Sequence, residues 1–335
     1  MRMLLLRCAV LLFAAAAAIA ATHALAAAEV FELEPEYVYG KNRKPRLGYR
    51  KPEVFDPLSD RLYQSGYRDF PPTAIPDELR DVDAMTRVQK MGRIMACADG
   101  WFWPFSRTAR NNQPGGIDIE ILQAIAKKHG WEFDISWINM ATRFGPGAPG
   151  GAYSRSIDKG ICDIVMGLAE TGDDHHMGPH KLVFTRPYLS TGFVLVTQGP
   201  AKGLKSLDEV KAQGVKIGVP AYSPMHEYAQ ANGLKFETFF QNYQVIDALI
   251  RHEVDAAMLW SGSISQARLE HPEAEFEMAK GYVPVPEMRW NSVWVVKEKE
   301  KELKEFIDQS FDEMLKSGEI KRIVERYGVP FYPPF

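Results

Sequence analysis

From Arg93 onward the chain alternates short apolar runs with amphipathic stretches. Arg93–Ala98 is an apolar run of buried-strand length. Ile117–Lys128 places Ile121, Leu122, Ile125 and Ala126 on one face and is followed by Gly130, which predicts a helix with a glycine stop. Trp131–Ile138 alternates as a strand does, and Ile164-Val165-Met166 and Phe193–Thr197 read as further buried strands. Gln198-Gly199-Pro200 punctuates the chain, and a second set follows. Ser206–Ala212 predicts a short helix and Lys216–Val219 a strand. Ser223-Pro224 supplies an N-cap and first-turn proline for a helix through Ala231. Tyr243–His252 predicts a helix, and Asp255–Trp260 and Ser292–Val296 predict strands. Leu303, Phe306, Ile307, Phe311, Met314 and Leu315 make one helical face, continued by Ile320, Ile323, Val324 and Tyr327 and stopped by Gly328. This rhythm predicts an α/β fold with a mostly parallel sheet. A weak echo links Ile157–Met166 to Ile250–Met258: in each, a helix ends, a turn follows and an Asp opens a strand.

The first 90 residues read differently. Met1–Arg7 is basic, Cys8–Ala21 is apolar, and Ala24-Leu25-Ala26 and Ala26-Ala27-Ala28 have signal-peptidase spacing. Residues 1–28 are therefore expected to be a secretory signal, cleaved near Ala26–Ala28 into the periplasm. Its loss removes two arginines and moves the net charge from −3 to −5. That balance excludes a broadly basic nucleic-acid binder. No later stretch has the apolar length of a membrane span, so none is expected in the mature chain. Residues 29–90 carry seven prolines and scattered aromatics without a sustained period. They are expected to form an irregular arm that packs on a surface of the chain or of a partner.

Two residue sets raise specific chemistry. If, as the family resemblance given below implies, Cys97 and Cys162 fall on strands lying side by side and parallel, an offset of three to four residues separates them by more than a disulfide spans. Two buried free thiols are expected. Asp173-Asp174-His175-His176 with His180 has metal-ligand residue types in a loop, but such loops are more often solvated, and no metal or other cofactor is expected. Haem-attachment, phosphate-loop and Ser-His-Asp signatures are missing, so no enzymatic role is expected.

Several fragments in order resemble the exported solute-binding proteins of family 3. They are Asp99 before Pro104-Phe105, Gly116–Glu120, Gly160–Gly167, Phe184–Tyr188, Ser206–Val210, Ile217-Gly218-Val219, Val254-Asp255-Ala256 and Glu325–Gly328. The resemblance implies a type II periplasmic binding fold. Its lobe 1 would hold residues 91–197 and 290–335, and its lobe 2 residues 198–289. The crossovers are expected near Thr197–Pro200 and Pro284–Asn291, with a ligand cleft at the carboxyl ends of the strands. Amino-acid binders of this family carry an arginine shortly before the Phe184 segment and an acid at the end of the Val-Asp-Ala strand. Here residues 170–180 contain no arginine, and the strand ends at Trp260. A bound amino acid would leave both its charges unpaired, so tight binding of ordinary α-amino acids is not expected.

The residues expected to line the cleft are Asp99, Trp101, Phe102, Gly167, Glu170, Tyr222, Ser223 and Trp260. Trp103 and Phe105 read equally well as core. So aromatic a lining suits an apolar or aromatic ligand. A narrower resemblance, carried by Met95–Asp99, Cys162–Gly167, Leu259-Trp260 and Arg326–Pro330, is to the J-type accessory proteins of quinoprotein methanol dehydrogenases. It implies a periplasmic protein that supports the dehydrogenase or its cytochrome as partner. The alternatives are the binding component of an ABC importer for a non-amino-acid ligand and a dehydratase-like enzyme on the same fold, with Glu170 as its acid.

Overall fold

The computed structural model describes residues 75–107, 115–138, 140, 151–170 and 177–335, without the side chains of Trp101 and Leu269. The expected signal segment and most of the arm lie outside these residues, as do His175 and His176. The elements in chain order are α1 (Ala84–Met91), β1 (Arg93–Asp99), β2 (Trp101–Phe102), β3 (Ser106–Arg107), α2 (Ile117–Lys128), β4 (Glu132–Ile138), α3 (Ala152–Arg155), β5 (Ile164–Ala169), β6 (Leu182–Phe184) and β7 (Leu189–Thr197). The chain continues with α4 (Leu207–Ala212), β8 (Ile217–Pro220), α5 (Pro224–Ala231), β9 (Phe236–Phe239), α6 (Asn242–Ile250), β10 (Ala256–Trp260) and α7 (Ser261–Glu270). It ends with β11 (Glu277–Met278), β12 (Arg289–Lys297), α8 (Lys301–Lys316) and α9 (Glu319–Arg326).

The fold is the two-lobed α/β architecture of the type II periplasmic binding proteins. Its main sheet runs β4-β1-β5-β12-β7-β10-β8-β9. The strands β4, β1 and β5 are parallel, as are β9, β8 and β10. The two ends of the sheet therefore repeat one arrangement, which gives the sequence echo a structural basis. One apolar core gathers on the lobe 1 strands, α2, α8 and α9, and another on the lobe 2 strands, α5 and α6.

Two antiparallel strands join the lobes. Leu189–Gly192 of β7 pair with β12, whereas Phe193–Thr197 pair with β10. The chain thus crosses inside β7, earlier than the Thr197–Pro200 punctuation suggests. Gly192 marks the crossing, where a Cβ would collide with the Met288 carbonyl. The tail after α9 straps the same region. Val329 joins the lobe 1 core and Tyr332 packs on lobe 2. Ser190 N donates to Tyr332 O at 3.0 Å, and the Asn291 amide bonds both backbone groups of Phe335.

Two expectations are corrected. First, the irregular arm does not extend to residue 90, because 84–91 form α1. Asp83 caps it by accepting from Thr86 N at 2.8 Å, and Gly92 closes it in the left-handed region at φ 60°. Ala84, Met85 and Val88 are buried, and Arg87 forms an ion pair with Asp163, which is itself buried. Second, Cys97 and Cys162 are joined by a disulfide, with a Cα–Cα distance of 5.7 Å. The register aligns Cys97 with Val165, so the offset was read correctly. The chain before β5 is bent rather than extended, however, and Asp163 N donates to Met95 O at 2.8 Å. That bend carries Cys162 back beside Cys97, within disulfide reach.

Candidate functional site

Two strand ends and a short hairpin bring aromatic rings together between the lobes. After β1 the chain forms the β2–β3 hairpin, where Phe102 pairs with Ser106. The Ser106 hydroxyl donates to the Asp99 carbonyl at 2.7 Å and ties the hairpin down. Phe102 and Phe105 stack at 5.0 Å between ring centroids. From lobe 2, Trp260 at the end of β10 lies parallel to Phe102 at 5.5 Å and 5°, and to Phe105 at 6.1 Å. The indole lies over Gly262 in the first turn of α7, so closely that any Cβ there would overlap the ring. The lobes also meet where the Ser265 hydroxyl donates to the Tyr327 carbonyl.

A buried carboxyl borders this stack. Asp118, at the second position of α2, is fully inaccessible. Its Oδ1 accepts from Tyr188 OH at 2.5 Å and from Trp294 Nε1 at 2.8 Å. Its Oδ2 has no hydrogen-bond partner among the described residues. Burial raises this carboxyl from its ordinary 3.8 to about 7, against the two donors, which favour the ionised form. Gly167 in β5, at φ 77°, lets the backbone pass close beside Oδ2 and the Phe102 ring. A Cβ there would lie 3.3 Å from Oδ2 and 3.2 Å from the edge of the Phe102 ring.

The residues expected to line the cleft separate into groups. Phe102, Gly167 and Trp260 meet at the stack. Phe105 joins them, while Trp103 is buried in the lobe 1 core. Asp99 turns away, its Oδ2 accepting from Met140 N at 3.0 Å. Glu170 is exposed and accepts from the Asn291 side chain at 2.8 Å beside the tail. The Ser223 hydroxyl is used locally, donating to Pro220 O at 2.6 Å and capping α5. Tyr222 is 87% exposed and holds a left-handed backbone at φ 57°. The Trp101 side chain lies outside the described set. His180 bonds Asp158 at 2.5 Å, and among the described residues no three metal-ligand side chains cluster.

Sequence reasoning missed Asp118 as a site residue. Its signal was present: position 118 falls on the same helical face as Ile121, Leu122 and Ile125, so an acid stands on the apolar side of α2.

Residues 94–330 match the bacterial extracellular solute-binding proteins, family 3. The chain belongs to that family. The L-cystine-binding protein TcyJ of Escherichia coli K12 is 24% identical over 184 residues, which are 51% of this chain and 62% of that protein. The chain therefore spans less than two thirds of this relative's length. Among solved structures, the L-cystine solute receptor of Neisseria gonorrhoeae in its unliganded open conformation is 17% identical with a TM-score of 0.59, covering 73% of this chain and 97% of the receptor. The second substrate-binding domain of GlnP from Lactococcus lactis is 21% identical with a TM-score of 0.57, covering 71% and 96%. An ancestral cyclohexadienyl dehydratase is 18% identical with a TM-score of 0.57, covering 73% and 96%. These likenesses show the shared fold. The described residues contain no helix long and apolar enough to cross a membrane.

Proposed function

We propose that this family 3 protein works outside the cytoplasm as a binding protein for an aromatic ligand that is not an α-amino acid. The observation that carries this reading is the wall between the lobes: Phe102, Phe105 and Trp260 stack where the ligand cleft of this fold lies. Stacked rings offer area and π-faces rather than charge. The loop from 170 to 180 supplies no arginine for a carboxylate, and Trp260 supplies no acid for an ammonium. The cystine-binding relatives take a zwitterion, and this chain lacks charged partners for it at these two positions. Binding proceeds by opening and closing of the two lobes about β7 and β12, so the ligand selects among lobe arrangements. Calorimetry with L-cystine and the twenty common amino acids is expected to show no micromolar binding. Micromolar binding of any of them overturns the reading.

A second reading, as accessory protein to a quinoprotein dehydrogenase or its cytochrome, is favoured by the corner of lobe 2. Tyr222 and Phe240 follow the neighbouring parallel strands β8 and β9 and are 87% and 74% exposed. Large aromatics exposed together at one sheet end suit a protein partner. Capture of the dehydrogenase from periplasmic extract by the wild type, lost in Tyr222→Ala/Phe240→Ala, supports this reading. Equal capture by both proteins removes it.

A further inference from the structure

We propose that residues 331–335 form a strap that ties lobe 2 to lobe 1 across the crossover strands, with Arg289 as its clamp, and that the strap limits how far the lobes open. Its fastenings belong to the two lobes and not to any ligand, so it stands or falls apart from what the cleft binds.

The family match ends at residue 330, so the strap lies outside the shared region. Its first two residues are seated in different lobes. Phe331 packs on the lobe 1 core and Tyr332 on the lobe 2 core. The Tyr332 hydroxyl donates to the Tyr282 carbonyl of lobe 2 at 2.8 Å. The Tyr332 backbone meanwhile bridges to Ser190 in the antiparallel sense. Strands β7 and β12 are the segments that a change of lobe angle must bend, and the tail lays a third segment against them.

Arg289, the first residue of β12, holds this segment in place. Its Nε donates to the Ser190 hydroxyl at 2.6 Å, and its Nη2 donates to the Pro333 carbonyl at 2.5 Å. The guanidinium also lies 5.6 Å from the centroid of the Tyr332 ring and 4.9 Å from that of Phe335. A planar cation that donates and stacks at once fixes geometry as a lysine could not. Two residues on, the Asn291 amide donates to the Phe335 carbonyl at 2.7 Å and to Glu170, at the end of β5, at 2.8 Å. The strap is thus fastened to lobe 1, to both crossover strands and to lobe 2. Pro333 and Pro334 restrict its backbone, so it has little slack to give. Parting the lobes must break one fastening or another. The contacts are made only when the lobes lie close, and they bias the lobe equilibrium toward that arrangement.

The test measures the distance between the lobes with no ligand added. Nitroxides are placed on the intact protein at Gln123→Cys in lobe 1 and Gln213→Cys in lobe 2, both exposed, while the native cysteines remain joined to each other. Double electron–electron resonance on the otherwise wild-type chain is expected to give one narrow distance. Arg289→Gln removes the clamp, and Tyr332→Phe removes only the hydroxyl that reaches lobe 2. Each should populate a longer distance at least about tenfold more than wild type does, the effect of one lost hydrogen bond on a two-state equilibrium. Deletion of 331–335 should populate it most. Should the deletion fail to fold, Tyr332→Phe still decides, because it alters one exchangeable contact and no core residue. Distances unchanged in Arg289→Gln and Tyr332→Phe overturn the proposal. So does a wild-type distribution already as broad as that of the variants.

Discussion

The two lobes tie down the same turn by different means. In lobe 1 the turn before β5 is held by the Cys97–Cys162 disulfide and by Asp163, which pairs with Arg87 of α1 and accepts from Met95 N at 3.2 Å. In lobe 2 the turn before β10 is held by one neutral side chain. Gln198 is buried and its amide donates to the carbonyls of Leu249 and of Val254, the latter at 2.9 Å. The same division runs through the matching helices, where the second residue is Asp118 in α2 and Met225 in α5. Lobe 1 carries buried charge and a covalent link, whereas lobe 2 is built from apolar packing and neutral hydrogen bonds. The comparison teaches that the repeat fixes the path of the chain and leaves the chemistry of each tie free. Buried carboxylates are concentrated in lobe 1.

The sharpest way to break this comparison is at the ion pair. Arg87→Met leaves Asp163 buried and unpaired, at an expected cost of about 3–5 kcal/mol. Denaturant melts should show it against a Lys216→Ala control. Lys216 pairs with Glu237 on the surface of lobe 2, where such a pair contributes at most about 1 kcal/mol. Equal losses would remove the distinction between the lobes.

Asp118 gives a pH signature. Burial raises its folded carboxyl from 3.8 to about 7. Between those values the folded chain holds a proton that the unfolded chain has released, so stability falls as pH rises through this window and levels off above it. Measured against Asp118→Asn, the wild type should lose up to about 4 kcal/mol of stability between pH 4 and pH 8. A constant difference across that range contradicts the burial argument. A Met225 substitution in lobe 2 should show no such pH dependence.

Two smaller effects follow. Replacing both cysteines by alanine should cost about 2–4 kcal/mol, read as a lower unfolding midpoint, since the link closes a long loop in the unfolded chain. Gln198→Ala removes the side-chain donor to the Val254 carbonyl, while Leu249 O keeps His252 N, and should cost about 1–3 kcal/mol. If the Gln198 variant proves the more damaging of the two, lobe 2 holds its turn more tightly than lobe 1.

Much of this architecture was legible in the chain, and what was missed has physical causes. Apolar periodicity located β1, α2, β8, α5, β10 and the paired C-terminal helices, because each buries a face wide enough to leave a pattern. The capped start of α5 was readable at Ser223-Pro224 because capping is local. Helix α1 was hidden because it has barely two turns and follows a proline-rich stretch. Its Asp83 cap and Gly92 stop were nonetheless present. The disulfide was missed because strand spacing assumes an extended chain, and the bend before β5 is a tertiary feature. Trp260 and Phe102 could be read as candidates from their places at the end of β10 and after β1, and they meet in the ring stack. Tyr222 follows β8 much as Phe102 follows β1, but it faces solvent, a choice that periodicity does not encode. Asp118 was visible as an acid on an apolar face, and its partners Tyr188 and Trp294 were too far along the chain to be paired with it.

The central claim is that this cleft accepts an aromatic ligand and refuses the amino acid that carries the same ring. Phenethyl alcohol and L-phenylalanine share the ring, and only the amino acid brings a carboxylate and an ammonium, for which this chain has no arginine between 170 and 180 and no acid at 260. Parallel calorimetric titrations of the intact protein with the two compounds compare them directly. The account predicts saturable binding of the alcohol and at least about a hundredfold weaker binding of phenylalanine, the penalty for unpaired buried charge. Phenylalanine binding as tightly as the alcohol, or more tightly, would contradict it.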